Sequence, residues 1–169
     1  MPKRYSVIWV LIIIVLGSGL FFPKLMDTDA PEYAGVAMHM YQEGRWTEMI
    51  NRSYSDGAPF DYLEKPHMLY WSALPGYALF GIHDYAYRLV SVLLTFAAAF
   101  ALSRVTGMLY HKTAGAMAAI MFVTAQAILL ANHDVRTDSL LTSFCILAVW
   151  QMLSYILKQK WWYLIYAGF

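Results

Sequence analysis

Three stretches of this chain contain no acidic residue: those around Lys3 and Arg4, between Arg104 and Lys112, and around Lys158 and Lys160, while all 11 Asp and Glu residues lie elsewhere. Charge of either sign is scarce. Only 14% of the chain is charged against 60% hydrophobic residues, with a mean hydropathy of +0.47, which excludes an ordinary soluble domain. The one cysteine, Cys145, excludes an internal disulfide and a CxxC redox or zinc site. No basic patch suits a nucleic acid, and no internal repeat or low-complexity tract is present. Gly17 and Gly19 sit inside an apolar run and so cannot form a nucleotide loop.

What is present is a set of apolar runs of membrane-spanning length. Residues 5–22 carry no charge and would make about 27 Å of helix at 1.5 Å per residue, enough to cross with interfacial anchors. The run ends in Phe21-Phe22-Pro23 with no small-residue cleavage site, so it reads as a retained helix and not a signal peptide. Further spans are expected at 86–110, 113–132 and 139–157, with a partial fifth at 161–169 that stops inside a helix. The expected fold class is therefore all-α: a polytopic membrane protein of four complete spans and a partial fifth, with a long outer loop, 23–85, of interfacial helices.

Lys and Arg are retained on the cytoplasmic side of short connections. This places the N-terminus and the basic turns inside, in the inner or plasma membrane, and the 23–85 loop and the 133–138 turn outside. Two regions far apart in sequence then share one face that holds every acid. The loop is too aromatic for a disordered linker. Pro31 suits the first turn of a helix running to Glu43, with Tyr33, Ala37, Met40 and Tyr41 as its apolar face and Gly44 as its stop. A second short helix is expected over 45–52, an irregular link over 51–59, and a helix over 67–82 kinked at Pro75-Gly76.

Chemistry, on this reading, belongs to the outer face. Asp27 and Asp29 follow the first span, Glu64-Lys65-Pro66 stands where the loop re-enters the membrane, and Arg136 with Asp138 opens the fourth span. Carboxylates there can accept a proton or hold a metal, and Lys65 and Arg136 can neutralise a phosphate. Plainer roles are open to each: Asp27 and Asp29 as helix-start residues, Glu64-Lys65 as an exposed ion pair, Arg136 and Asp138 as a cap or anchors, His67, His133 and Asp134 as hydrogen-bonding residues and not ligands. A transporter or channel fragment and a non-catalytic assembly subunit are the competing readings from other classes.

At these residues the chain resembles the membrane-embedded glycosyltransferases that use lipid-linked sugars, the GT-C type that includes aminoarabinose transferases and protein O-mannosyltransferases. Asp29-Ala30-Pro31-Glu32-Tyr33-Ala34 is similar to the family's Asp-Glu-x-x-Tyr-Ala, with Ala30 in place of the second acid. Tyr62-Leu63-Glu64-Lys65-Pro66-His67-Met68-Leu69-Tyr70-Trp71 is similar to Tyr-x-Glu-Lys-Pro-Pro-x-x-Tyr-Trp, with His67 replacing the second Pro. Tyr87-Arg88 and Arg136-Thr137-Asp138 complete the series. The resemblance covers the front part of such an enzyme, whose members usually have more helices, so the 169 residues alone are expected to be inactive. It implies transfer of a sugar from a polyprenyl-phosphate donor to a lipid, protein or glycan acceptor on the extracytoplasmic face, without a nucleotide sugar. It further implies Asp29 as general base, Asp138 as its helper at the acceptor, Lys65 and Arg136 on the donor phosphate, and Glu64 orienting Lys65 or binding a divalent cation. No cofactor is certain, and a metal requirement is left open.

Overall fold

The computed structural model describes residues 3–21, 29–51 and 60–168. Asp27 lies outside the described residues. Helix dominates, as the apolar runs require: α1 (Lys3–Phe21), α2 (Asp29–Glu43), α3 (His67–Trp71), α4 (Leu74–Phe80), α5 (Asp84–Leu109), α6 (Lys112–Thr124), α7 (Gln126–His133), α8 (Thr137–Lys158) and α9 (Trp162–Gly168). The only extended pairing among the described residues is a two-residue antiparallel ladder, β1 (Ile50–Asn51) on β2 (Phe60–Asp61).

Two helices, α5 and α8, are long and apolar enough to cross a membrane, and α6 with α7 make a third if the pair is one span. That pair bends by 53° at Ala125, where a single straight span over 113–132 was expected. Thr124 stands at the break, its hydroxyl donating to Ile120 O at 2.8 Å, and such back-bonding competes with the helix ladder. The apolar part of α1, Ser6–Phe21, is shorter than α5 or α8. The connection between α5 and α6 is only Tyr110 and His111, so Arg104 belongs to the helix; His111 Nδ1 caps α6 by accepting from Ala114 N at 3.1 Å.

α5 is the central helix, packed by α1, α4, α6, α7 and α8. Two glycines allow the closest approaches. A Cβ on Gly76 of α4 would collide with Ala86 O, and one on Gly115 of α6 with Ser103 O, so small residues set both crossings, as membrane helices often do. The apolar side chains split into two clusters. Ile12, Leu16, Ala99, Ala119 and Val123 join α1, α5 and α6, with Trp9 edge-on to Phe96 at 5.8 Å. A second, aromatic cluster draws α2, the β1–β2 ladder, α3 and α4 onto the start of α5 and the α7–α8 turn, through Tyr33, Tyr62, Tyr70, Tyr77, Tyr87 and Val135. Large apolar residues such as Ile13, Ile14, Leu141, Met152 and Ile156 stay outside on α1 and α8, as lipid-facing side chains do.

Two local expectations fail. No helix forms over 45–51: the chain turns and enters β1, because Met49 is buried and its carbonyl accepts from Tyr62 N at 2.6 Å, a tie across the ladder that a helix would break. The 67–82 helix does break, but at Ser72-Ala73, two residues before the proline. Pro75 lies at the start of α4, where its missing N–H costs nothing.

Candidate functional site

The first turn of α2 carries Asp29 and Glu32, where negative charge is favoured by the helix dipole. One turn on, the buried Tyr33 returns its hydroxyl to Asp29 Oδ2 at 3.2 Å, the i to i+4 spacing of neighbours on a helix. The ladder and the segment after β2 bring a second tyrosine to the same place. Tyr62 is buried, and its hydroxyl lies 3.1 Å from Glu32 Oε2 and 3.4 Å from Glu64 Oε2. One phenolic proton thus serves two carboxylates, tying α2 to the Glu64-Lys65-Pro66 segment. Burial first, then the bond to Glu32 and the charges of Glu32 and Glu64, push the Tyr62 phenol far above its usual range, so it acts as a neutral donor.

Lys65 Nζ stands 5.8 Å from the centroid of the Tyr33 ring, a cation–π arrangement. Tyr62 and Tyr70 flank the same ring at 6.3 and 6.4 Å. Arg136, the N-cap residue of α8, comes to this group from the other loop because its neighbour Val135 packs in the same cluster as Tyr33; its charge, like those of Asp29 and Glu64, is felt at the Tyr33 phenol. The net result at Tyr33, led by burial and followed by Asp29, is a phenol pushed up to about 12. Asp138, in the first turn of α8, pairs with Arg136 at 3.6 Å, both at the surface.

Asp29, Glu64, Lys65 and Arg136 therefore gather around Tyr33, and Asp138 joins them through Arg136. Three segments, the first and last more than a hundred residues apart, meet there. Such a cluster can take a proton at a carboxylate while holding an anion with a lysine and an arginine. Glu64 is engaged by Tyr62, and among the described residues no three His, Cys, Asp or Glu side chains gather so as to hold a metal. His67 hydrogen-bonds Thr47 O at 3.1 Å and packs on Trp71, a plain structural role.

Three participants, Tyr33, Glu32 and Tyr62, stand in the motifs but were given no role at the site from the sequence. The signal for Tyr62 is its place two residues before Glu64, just past the end of β2. Arg88, one turn into α5, is also more than a motif residue. It is fully buried, with Nε donating to His133 O at 2.6 Å and one guanidinium nitrogen 3.5 Å from Leu20 O, so it ties the end of α7, and with it that of α1, to α5.

The family described as dolichyl-phosphate-mannose-protein mannosyltransferase matches residues 64–169, more than half of the chain. No curated protein and no solved structure matches it. The matched region takes in Glu64, Lys65, Arg88, Arg136 and Asp138, while α1 and α2 with Asp29 precede it. With its apolar helices and this match, the chain is a multi-pass membrane protein and belongs to the dolichyl-phosphate-mannose-protein mannosyltransferase family of glycosyltransferases.

Proposed function

We propose that this protein moves a sugar from a polyprenyl-phosphate donor to an acceptor on the extracytoplasmic side of the membrane. The observation that carries the reading is the convergence on Tyr33 of a carboxylate, Asp29, with two cations, Lys65 and Arg136, drawn from separate segments. In the proposed topology α1, α5, the bent α6–α7 pair and α8 are four spans and α9 opens a fifth, with the N-terminus cytoplasmic. The cluster then lies where a membrane-anchored phosphate would arrive.

Asp29 removes a proton from the acceptor hydroxyl or amine as that atom attacks the anomeric carbon. The bond from that carbon to the phosphate oxygen breaks, and its electron pair leaves with the lipid phosphate. Lys65 and Arg136 stabilise the charge that develops there, which is where preset cations lower a barrier most. Tyr33 orients the Asp29 carboxylate, Glu64 is set by Tyr62 and orients Lys65, and Asp138 restrains Arg136 and assists at the acceptor. The family's description favours a mannosyl donor and a protein acceptor. The proposed roles require only an anionic donor and an acceptor that must lose a proton.

A transport pathway would need charge inside the spans, and Arg88 is such a charge, but helix-end carbonyls engage it. In membranes containing the full-length gene product, Asp29→Asn should cut transfer from a polyprenyl-phosphate mannose by about 10²-fold or more while insertion stays normal. Full activity in that variant would rule out the proposed base.

A further inference from the structure

The turn that launches Arg136 is built against the preference of its own sequence. α7 ends at His133, and Arg136 N donates to Ala131 O at 2.9 Å, the long bond of a helix end closed by a left-handed residue. Glycine or asparagine normally occupies that left-handed position. Here it is Val135, with φ of 50°, a conformation that a β-branched side chain resists. Val135 is 0% exposed and packs in the aromatic cluster with Tyr33, so burial holds it where local preference would not.

A stripe on α5 grips the same turn. Arg88, Ser91 and Thr95 follow one another at helical spacing, and all are buried. Arg88 donates to His133 O, while Ser91 Oγ and Thr95 Oγ1 each donate to Asn132 Oδ1 at 2.9 Å. From α8, Ser139 Oγ lies 2.9 Å from Arg136 O and 3.1 Å from Ser91 Oγ. Every one of these bonds reaches a residue between Ala131 and Ser139.

From this we infer that the α7–α8 turn is a strained, preset mount for Arg136, with Val135 and the Ser91-Thr95-Asn132 clamp acting as positioning residues for phosphate binding. The inference rests on the proposed phosphate role of Arg136. A surface arginine loses rotamer freedom when it grips an anion, and a fixed backbone beneath it reduces what must be ordered. None of the clamp residues bears a charge beside the anion, so their effect passes through Arg136.

The test measures binding of farnesyl phosphate to the purified full-length gene product, with farnesol as the same chain lacking phosphate. Thr95→Val should weaken farnesyl phosphate by about tenfold and leave farnesol within about twofold; Thr95→Ser, which keeps the hydroxyl, should restore binding. In an Arg136→Gln background, Thr95→Val should cause no further loss, because the residue it positions is gone. Equal weakening of both ligands, or a loss that adds to that of Arg136→Gln, overturns the inference. If Arg136→Gln weakens farnesyl phosphate and Thr95→Val does not, the mount alone is wrong; if Arg136→Gln has no effect, the phosphate role falls and the mount with it. Should Thr95→Val fail to accumulate, Ser91→Ala is read by the same criteria.

Discussion

A single phenolic proton between two carboxylates is the feature on which the candidate site turns. Tyr62 holds Glu32 and Glu64 together and Tyr33 bonds Asp29, so two buried neutral donors engage three acids nearer the surface. This dependence has a pH signature. Burial, then Asp29, raises the Tyr33 phenol from 10.0 to about 12, so the folded state binds more protons than the unfolded chain between those values. The stabilisation is complete below pH 10 and is lost as pH rises through 12. An alkaline titration followed by tyrosinate absorbance and near-ultraviolet circular dichroism should show late ionisation coinciding with loss of tertiary signal. Asp29→Asn should move that ionisation downward without bringing it to the ordinary value, because desolvation is the larger cause. Ionisation of every tyrosine at the ordinary value would show that the cluster is open.

At the scale of elements, the ends of α1 and α7 are joined to α5 by polar bonds, and the shafts of α5 and α6 by a small residue. Arg88 satisfies carbonyls at two helix ends that lipid could not. Arg88→Met should therefore cost about 2–4 kcal/mol, since it strips those groups of their donor, against about 1–3 kcal/mol for Gly115→Ala, which forces α6 away from α5. Thermal unfolding in one detergent, with a glycine-neutral control such as Met121→Leu on the exposed face, separates the two; an Arg88→Met protein as stable as the parent would show that the staple is dispensable. The elements were largely legible beforehand. Spans at 86–110, 113–132 and 139–157 fall on α5, α6–α7 and α8, because an uncharged run must be buried in lipid whichever neighbours it finds. The 45–52 helix was misread because the deciding contact, Met49 O to Tyr62 N, comes from a residue beyond the reach of any local pattern.

For the whole molecule, the distribution of charge and the aromatic cluster make one claim about sidedness. With Cys145 replaced by alanine, a cysteine placed at exposed Arg45 should react with a membrane-impermeant maleimide on intact cells, and one at exposed Lys112 only after permeabilisation. The reverse pattern would invert the topology and put the proposed site on the cytoplasmic side. The site itself was half legible. Asp29, Glu64, Lys65, Arg136 and Asp138 could be picked out as charges beside apolar runs, since charge at a membrane edge is costly enough to call for a reason. That Tyr33 is the point around which they assemble could not be, because an aromatic on a helical apolar face looks the same whether or not its hydroxyl is used.

Composition alone determined that this is a helical membrane protein, because solvation by lipid is a property of each segment taken by itself. Tertiary structure alone decided which charges meet, where the α6–α7 pair bends, and that a valine occupies a left-handed turn. Those outcomes depend on contacts between residues distant in the chain: the burial of Val135 among tyrosines and the grip of α5 on Asn132 outweigh a local preference that the sequence states plainly.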